Sequence, residues 1–201
     1  MASETEIANL ALGHLGISKT IATMTENSQE ARACNRFYPF AREEVLRDFM
    51  WPFATKYFTL GLVEEDPTEE WAYSYRYPSD CLFFRRILSG NRDDNQDTKV
   101  PYIVASDDTG RLIYTDQDEA ECEYTANITD AGKFTADFVF ALSTKLAVFI
   151  APQLTAGDPF KLGDKALNLH TFEISKAHAS SVNEESRSNR EPESEFIRGR
   201  E

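Results

Sequence analysis

His14, His170 and His178 are the side chains in this 201-residue sequence best suited to hold a metal or act as a general base. His170 and His178 lie eight apart, about two helical turns. No HExxH or paired-ligand spacing accompanies them, so all three read as helix-face histidines satisfied by neighbours. Cys34, Cys81 and Cys122 are odd in number and lack CxxC spacing, which argues against a disulfide framework and a zinc site and for reduced, partly buried thiols. A nucleophilic serine needs a strained elbow such as GxSxG, and nucleotides need GxxxxGK[ST] or GxGxxG; the sequence has none of these. The adjacent acids Asp107-Asp108 and Glu64-Glu65 read as solvated turn carboxylates, not as an acid-base pair. No catalytic residue, no metal ligand and no cofactor-binding residue follows from these patterns.

Cationic and aromatic side chains meet at Phe83-Phe84-Arg85-Arg86, as on nucleic-acid surfaces, but strand alternation sends neighbours to opposite faces. Three readings stay open for this stretch: nucleic-acid contact, an ordinary strand with polar flanks, and a subunit interface that would use Arg86. Trp51 and Trp71 read as core or interface anchors.

The elements that must carry these residues follow from periodicity. Ile7, Leu10, Ala11, His14 and Leu15 recur at helical spacing, and Gly16 stands where a left-handed cap commonly ends a helix, which predicts a helix over 4–15. Asn27 with Glu30 gives a capping-box signal for a second helix over 28–50. Cys34, Tyr38, Ala41, Val45 and Phe49 form its apolar stripe, Arg32, Arg36, Glu43 and Arg47 its polar one, and Pro39 predicts a kink. Short aromatic and β-branched runs from 54 to 126, separated by turn residues such as Asp66-Pro67 and Asp107-Asp108-Thr109-Gly110, predict an antiparallel β insertion whose clearest hairpin joins Ile103–Ala105 to Leu112–Thr115. A helix over 135–151 is apolar nearly all round, which marks it as central, and a fourth over 159–181 begins with Pro159 in its first turn. The expected fold is α+β, mainly α: a bundle of about four helices with an inserted antiparallel β region, forming one domain over 1–182, followed by a flexible tail over 183–201.

Composition bounds the function classes. Apolar residues make up 41% of the chain and aromatics 12%, enough to offset the entropy of ordering, so the chain folds. The start, Met1-Ala2-Ser3-Glu4-Thr5-Glu6, is acidic where a signal peptide is basic, and no stretch comes near the ~20 apolar residues of a bilayer span. The expectation is a soluble protein made in the cytoplasm, with no membrane partner. The net charge is −13, and the stretch from Asn91 to Glu123 has ten acidic side chains against three basic ones. A surface of that sign repels phosphates, which argues against sequence-specific DNA binding and fits a solubilising face, a non-stick wall beside DNA, or a patch facing a basic partner.

Asn9-Leu10-Ala11-Leu12-Gly13-His14-Leu15-Gly16, Asn27-Ser28-Gln29-Glu30-Ala31-Arg32-Ala33-Cys34, then Tyr38, Ala41-Arg42, Leu46-Arg47 and Trp51-Pro52-Phe53-Ala54 follow one another in an order and spacing that resembles the tail tubular protein A, or head-to-tail adaptor, family of short-tailed phages and prophages. Tyr73-Ser74-Tyr75-Arg76-Tyr77-Pro78-Ser79-Asp80-Cys81-Leu82 is similar to that family's aromatic, Pro-Asp-Cys-Leu segment. The resemblance implies a virion structural protein, made in the host cytoplasm and placed at the head–tail junction. It also implies a ring, usually a dodecamer, between the portal protein and the tail nozzle protein, with DNA passing through the lumen and no catalytic residue.

On that reading Arg32, Arg36, Arg47 and Arg86 are candidates for the subunit or portal interface, against the alternative that the helix arginines pair with Glu30, Glu43 and Glu44 of their own helix. In the tail, Phe196 and Ile197 are the apolar anchors among six acidic and four basic residues. With Arg198 and Arg200 they form the candidate portal-binding segment. Two other readings stay open: a phage-encoded host- or partner-binding module that forms no ring, and a hydrolase that needs no cofactor.

Overall fold

A computed structural model describes residues 2–91, 98–158 and 160–184, with side chains to residue 180. The elements run α1 (Glu4–His14), α2 (Gln29–Asp48), a 3-10 turn (Pro52–Ala54), β1 (Thr55–Thr59), β2 (Leu62–Thr68), β3 (Trp71–Arg76), β4 (Cys81–Ile87), β5 (Ile103–Asp107), β6 (Gly110–Thr115), β7 (Glu121–Ala126), a second 3-10 turn (Ala131–Lys133), α3 (Ala136–Leu154) and α4 (Leu162–Glu184).

The helix ends follow local chemistry. Ser3 and Glu6 close a capping box on α1, and Gly16 adopts φ +71 beyond its end, the backbone that only glycine takes without strain. The N-cap of α2 is Ser28, whose hydroxyl accepts from the Ala31 N–H, one residue past the expected Asn27. Pro39 lies inside α2, which continues on both sides of it. Helix α4 begins at Leu162, later than expected, because the Asp158 carboxylate accepts from the Leu162 and Gly163 N–H groups at 2.6 and 2.7 Å. The expectation for Pro159 lies outside the described residues.

Helix α3 is the hub of the helical half. Its Phe138, Leu142, Leu146 and Ile150 are fully buried, and they join Ile7 and Leu12 of α1 and Val45 and Leu46 of α2 in one apolar cluster. By length and mean hydropathy α3 would reach across a bilayer, contrary to the expectation that no stretch comes near this. Packing against α1, α2 and α4 buries Phe138, Leu142, Leu146 and Ile150, while Phe140 stays 47% exposed.

The strands form two antiparallel sheets, β1-β7-β4 and β2-β3-β6-β5. Thr55 at the start of β1 pairs with Thr125 near the end of β7, so the insertion enters and leaves side by side. Between the sheets lies a second apolar cluster that includes Tyr75, Phe84, Ile87, Ile113, Cys122 and Tyr124. The predicted hairpin is β5–β6, in which Ile103 pairs with Tyr114 and Asp107 with Gly110. The Asp107 carboxylate accepts from the Thr109 and Gly110 N–H groups and from both terminal nitrogens of Arg76; these contacts, led by Arg76, hold it well below the usual carboxylate range.

The expectation of a mainly α helical bundle is therefore overturned. Among the described residues, four helices and seven strands in two antiparallel sheets make a mixed α and β fold, not clearly a helical bundle. The sheet half owns a separate core, and β2 escapes the sequence pattern because Asp66-Pro67 reads as a turn. Asp66 does take φ +49 and the β2–β3 register slips there, but the strand continues, as an edge strand with a bulge tolerates proline.

One ionisable contact in the helical core yields a pH prediction. The Ser143 hydroxyl donates to the Phe140 carbonyl, so the His14 Nε2–H, 3.1 Å away, donates to the Ser143 oxygen. Burial lowers the His14 pKa, with Glu173 partly opposing it. The folded state thus binds fewer protons than the unfolded chain, and the contribution of His14 to stability is lost as pH falls through the ordinary histidine value, about 6.5. The melting temperature is expected to fall between about pH 7 and pH 5, and His14→Gln, which keeps a donor for Ser143, to flatten that slope. An unchanged slope in the variant refutes this assignment.

Candidate functional site

The outer face of α2 carries Arg32, Arg36, Phe40, Glu44 and Arg47, all exposed, along one side of the helix. The acids proposed as helix partners for the arginines are engaged elsewhere: Glu30 with Lys19 at 2.6 Å, Glu44 with Lys145 at 2.7 Å, and Glu43 beside Arg42 at 3.8 Å. Of the four arginines proposed for an interface, Arg47 lines a groove. Arg32 and Arg36 stand on the open helix face, and Arg86 lies on β4, its Nε 2.5 Å from Glu123 Oε2. The proposed segment Phe196, Ile197, Arg198 and Arg200 lies outside the described residues.

The concave site is an open groove of about 740 Å³ where α2, α3 and β4 meet, lined by Phe37, Phe40, Glu43, Glu44, Arg47, Asp48, Phe83 and Phe149. The rings of Phe37 and Phe149 stack at 6.1 Å, which ties α2 to α3 beneath it. Phe40 is 65% exposed at its edge. On the β4 side, Phe83 lies under two guanidinium groups, Arg85 at 4.5 Å and Arg47 at 5.7 Å from the ring centre.

The sequence pattern points to Arg86, yet its neighbour Arg85 joins the two halves of the molecule. Arg85 Nη2 donates to the Arg47 and Phe49 carbonyls at the end of α2, and its Nε donates to Thr125 Oγ1. It satisfies carbonyls that a helix end leaves without intrahelical partners, and so fixes β4 against α2. Only the register of β4 on β7 decides which of the two adjacent arginines turns toward the helix.

Glu43, Glu44 and Asp48 give the groove an acidic rim. A hydrogen bond from His170 is the main cause that lowers the Asp48 pKa, so this carboxylate stays charged. His170 is held in turn by the Ala141 carbonyl, 3.0 Å from Nδ1. His178 packs on Phe49 at 5.6 Å, which brings the C-terminal part of α4 to the same end of α2. All three cysteines are buried, and burial pushes Cys34 up to about 11 and Cys122 up to about 12, so neither offers a thiolate near neutral pH.

Among the described residues no group of three His, Cys, Asp or Glu side chains is placed to hold a metal ion. With aromatic walls and a carboxylate rim, the groove suits an apolar segment with cationic side chains. The chain matches no protein-family model, and no curated protein matches it.

Proposed function

We propose that this chain is a non-enzymatic structural subunit whose copies form a ring at a phage head–tail junction, between portal and tail nozzle, through which DNA passes without sequence-specific contact. The observation that carries this reading is apolar surface left exposed on more than one side of a single chain. Phe160, Leu167 and Phe172 of the α4 region are 75, 44 and 63% exposed, and Phe40 and Phe83 open on the groove. Large aromatics in water mark surfaces that a partner covers. A ring needs two different surfaces per subunit, because one face of each copy meets another face of the next. The order of motifs over the first 54 residues supports the same reading.

The exposed Arg36 and the acidic sheet half offer complementary charge between neighbours or toward the portal. Phe172→Glu is expected to leave thermal stability within about 0.5 kcal/mol, since the side chain faces solvent, and to abolish rings on the portal in electron micrographs. Arg36→Glu is expected to weaken the same assembly. Rings that form normally with Phe172→Glu, or a wild-type chain that never associates with a portal, refute the proposal.

A further inference from the structure

We propose that copies of this chain join through the edges of the four-stranded sheet, β5 of one copy beside β2 of the next, so that the sheet runs on from subunit to subunit. The joint names a contact between neighbours of the proposed ring and rests on that reading.

Strand order and direction allow this continuation. β2 and β5 are the outer strands on opposite sides of the sheet, and among the described residues neither has a second strand partner. Such edges offer unpaired backbone N–H and C=O groups to another chain. The four strands alternate in direction, so a copy added without being turned over sets its β2 antiparallel to the β5 before it. Each copy then meets the next through two different surfaces, the head-to-tail contact from which a ring closes.

The cross-strand rows select the register. Leu62, Tyr75, Ile113 and Val104 lie side by side in one row across the sheet. Tyr75 and Ile113 in its middle are 1 and 0% exposed, whereas Leu62 and Val104 at its two ends are 50 and 47% exposed. Placing Val104 beside Leu62 of the next copy carries the apolar row across the joint and covers both ends. The adjacent row matches too. It holds Glu64, Ser74, Tyr114 and Ile103, with Val63 in the bulge beside Glu64, and Val63 and Ile103 are both exposed. A slip of one residue would put the two apolar pairs on opposite faces, so this register is the one the side chains favour.

The joint is also limited in length. Glu64 and Glu65 keep the next part of the β2 edge charged, as edges that must not pair at random are. Beyond them Asp66 takes φ +49 and the register slips before Thr68, which ends the regular edge. So short a pairing buries well under the roughly 1,200 Å² of a stable interface. Free copies therefore pair transiently, and a covalent trap is the way to read the contact.

The test mixes two full-length variants, Leu62→Cys and Val104→Cys, under mild oxidation with no portal present. Directly opposite cross-strand residues have Cβ atoms about 4.5–5.5 Å apart, within a small adjustment of disulfide geometry. The three native cysteines are buried and do not compete. A disulfide between the two variants is expected to form about tenfold faster than one between Val104→Cys and Glu70→Cys, an exposed position in the turn after β2 that meets only by collision. Adding Ile103→Lys to the Val104→Cys chain is expected to remove that advantage and leave the melting temperature unchanged, because the position faces solvent in the single chain. Disulfides that form as fast from either variant alone overturn the proposal in favour of like edges paired about a two-fold axis. A mixture no faster than the Glu70→Cys control overturns it outright. Both failures are read without a portal, whereas the ring reading fails by loss of association with one.

Discussion

Trp51→Ala is expected to cost about 3–5 kcal/mol of stability, the largest loss from a single truncation in the helical half. The indole is 2% exposed and sits where α2 gives way to the sheets. Its ring meets Phe49 and Phe138 edge-on, at 4.9 and 5.1 Å, so it ties the end of α2 to the start of α3. Its N–H donates to the Val45 carbonyl at 2.8 Å, and truncation would leave that acceptor buried without its donor. Trp51→Phe keeps most of the apolar volume and loses the hydrogen bond, so about 1–2 kcal/mol is expected. Urea unfolding gives both values as shifts of the midpoint at constant slope. The sequence leaves Trp51 open between core and interface. A Trp51→Ala chain that melts normally but fails to assemble would decide for the interface and against the packing described here.

Side chains that act within one element are legible in the sequence alone. Of the apolar stripe, Cys34, Tyr38, Ala41 and Val45 lie buried on α2 while Phe49 stands half-buried at its C-cap, Gly16 takes the left-handed backbone its position after a helix suggests, and the Asp107–Gly110 turn closes the expected hairpin. Each rests on a period of 3.6 or 2 or on turn chemistry spanning a few residues. Features that depend on contacts between distant elements are not legible in this way. The sheet half has a core of its own because β4 and β7 bring Ile87, Cys122 and Tyr124 against Tyr75 and Ile113, and no local pattern announces that meeting. An apolar α3 makes the chain look more helical than it is, and hence the bundle expectation. Of the groove, Arg47 is visible as a polar-face arginine. Phe83, Phe149 and Asp48 come from three elements, and only their packing makes one site of them.

Arg86 shows the same limit at a single residue and carries the second large effect. Two adjacent arginines on a strand invite an interface reading, yet Arg86 is bound to Glu123 on β7, a residue 2% exposed, which also accepts from the Tyr57 hydroxyl at 3.3 Å. Removing the cation leaves a charged carboxylate in a site that water scarcely reaches, so Arg86→Ala is expected to cost about 3–5 kcal/mol. Loss of the acid is milder. The Arg86 side chain is 30% exposed and can turn toward water, so Glu123→Ala should cost about 1–2 kcal/mol. Replacing both with leucine should recover much of the loss, because a packed apolar pair avoids the desolvation cost that the ion pair must offset. Calorimetric or denaturant melts of the three variants test the asymmetry directly. If Arg86→Ala proved the milder change, or left stability intact while blocking assembly, Arg86 would belong to an interface and not to the sheet.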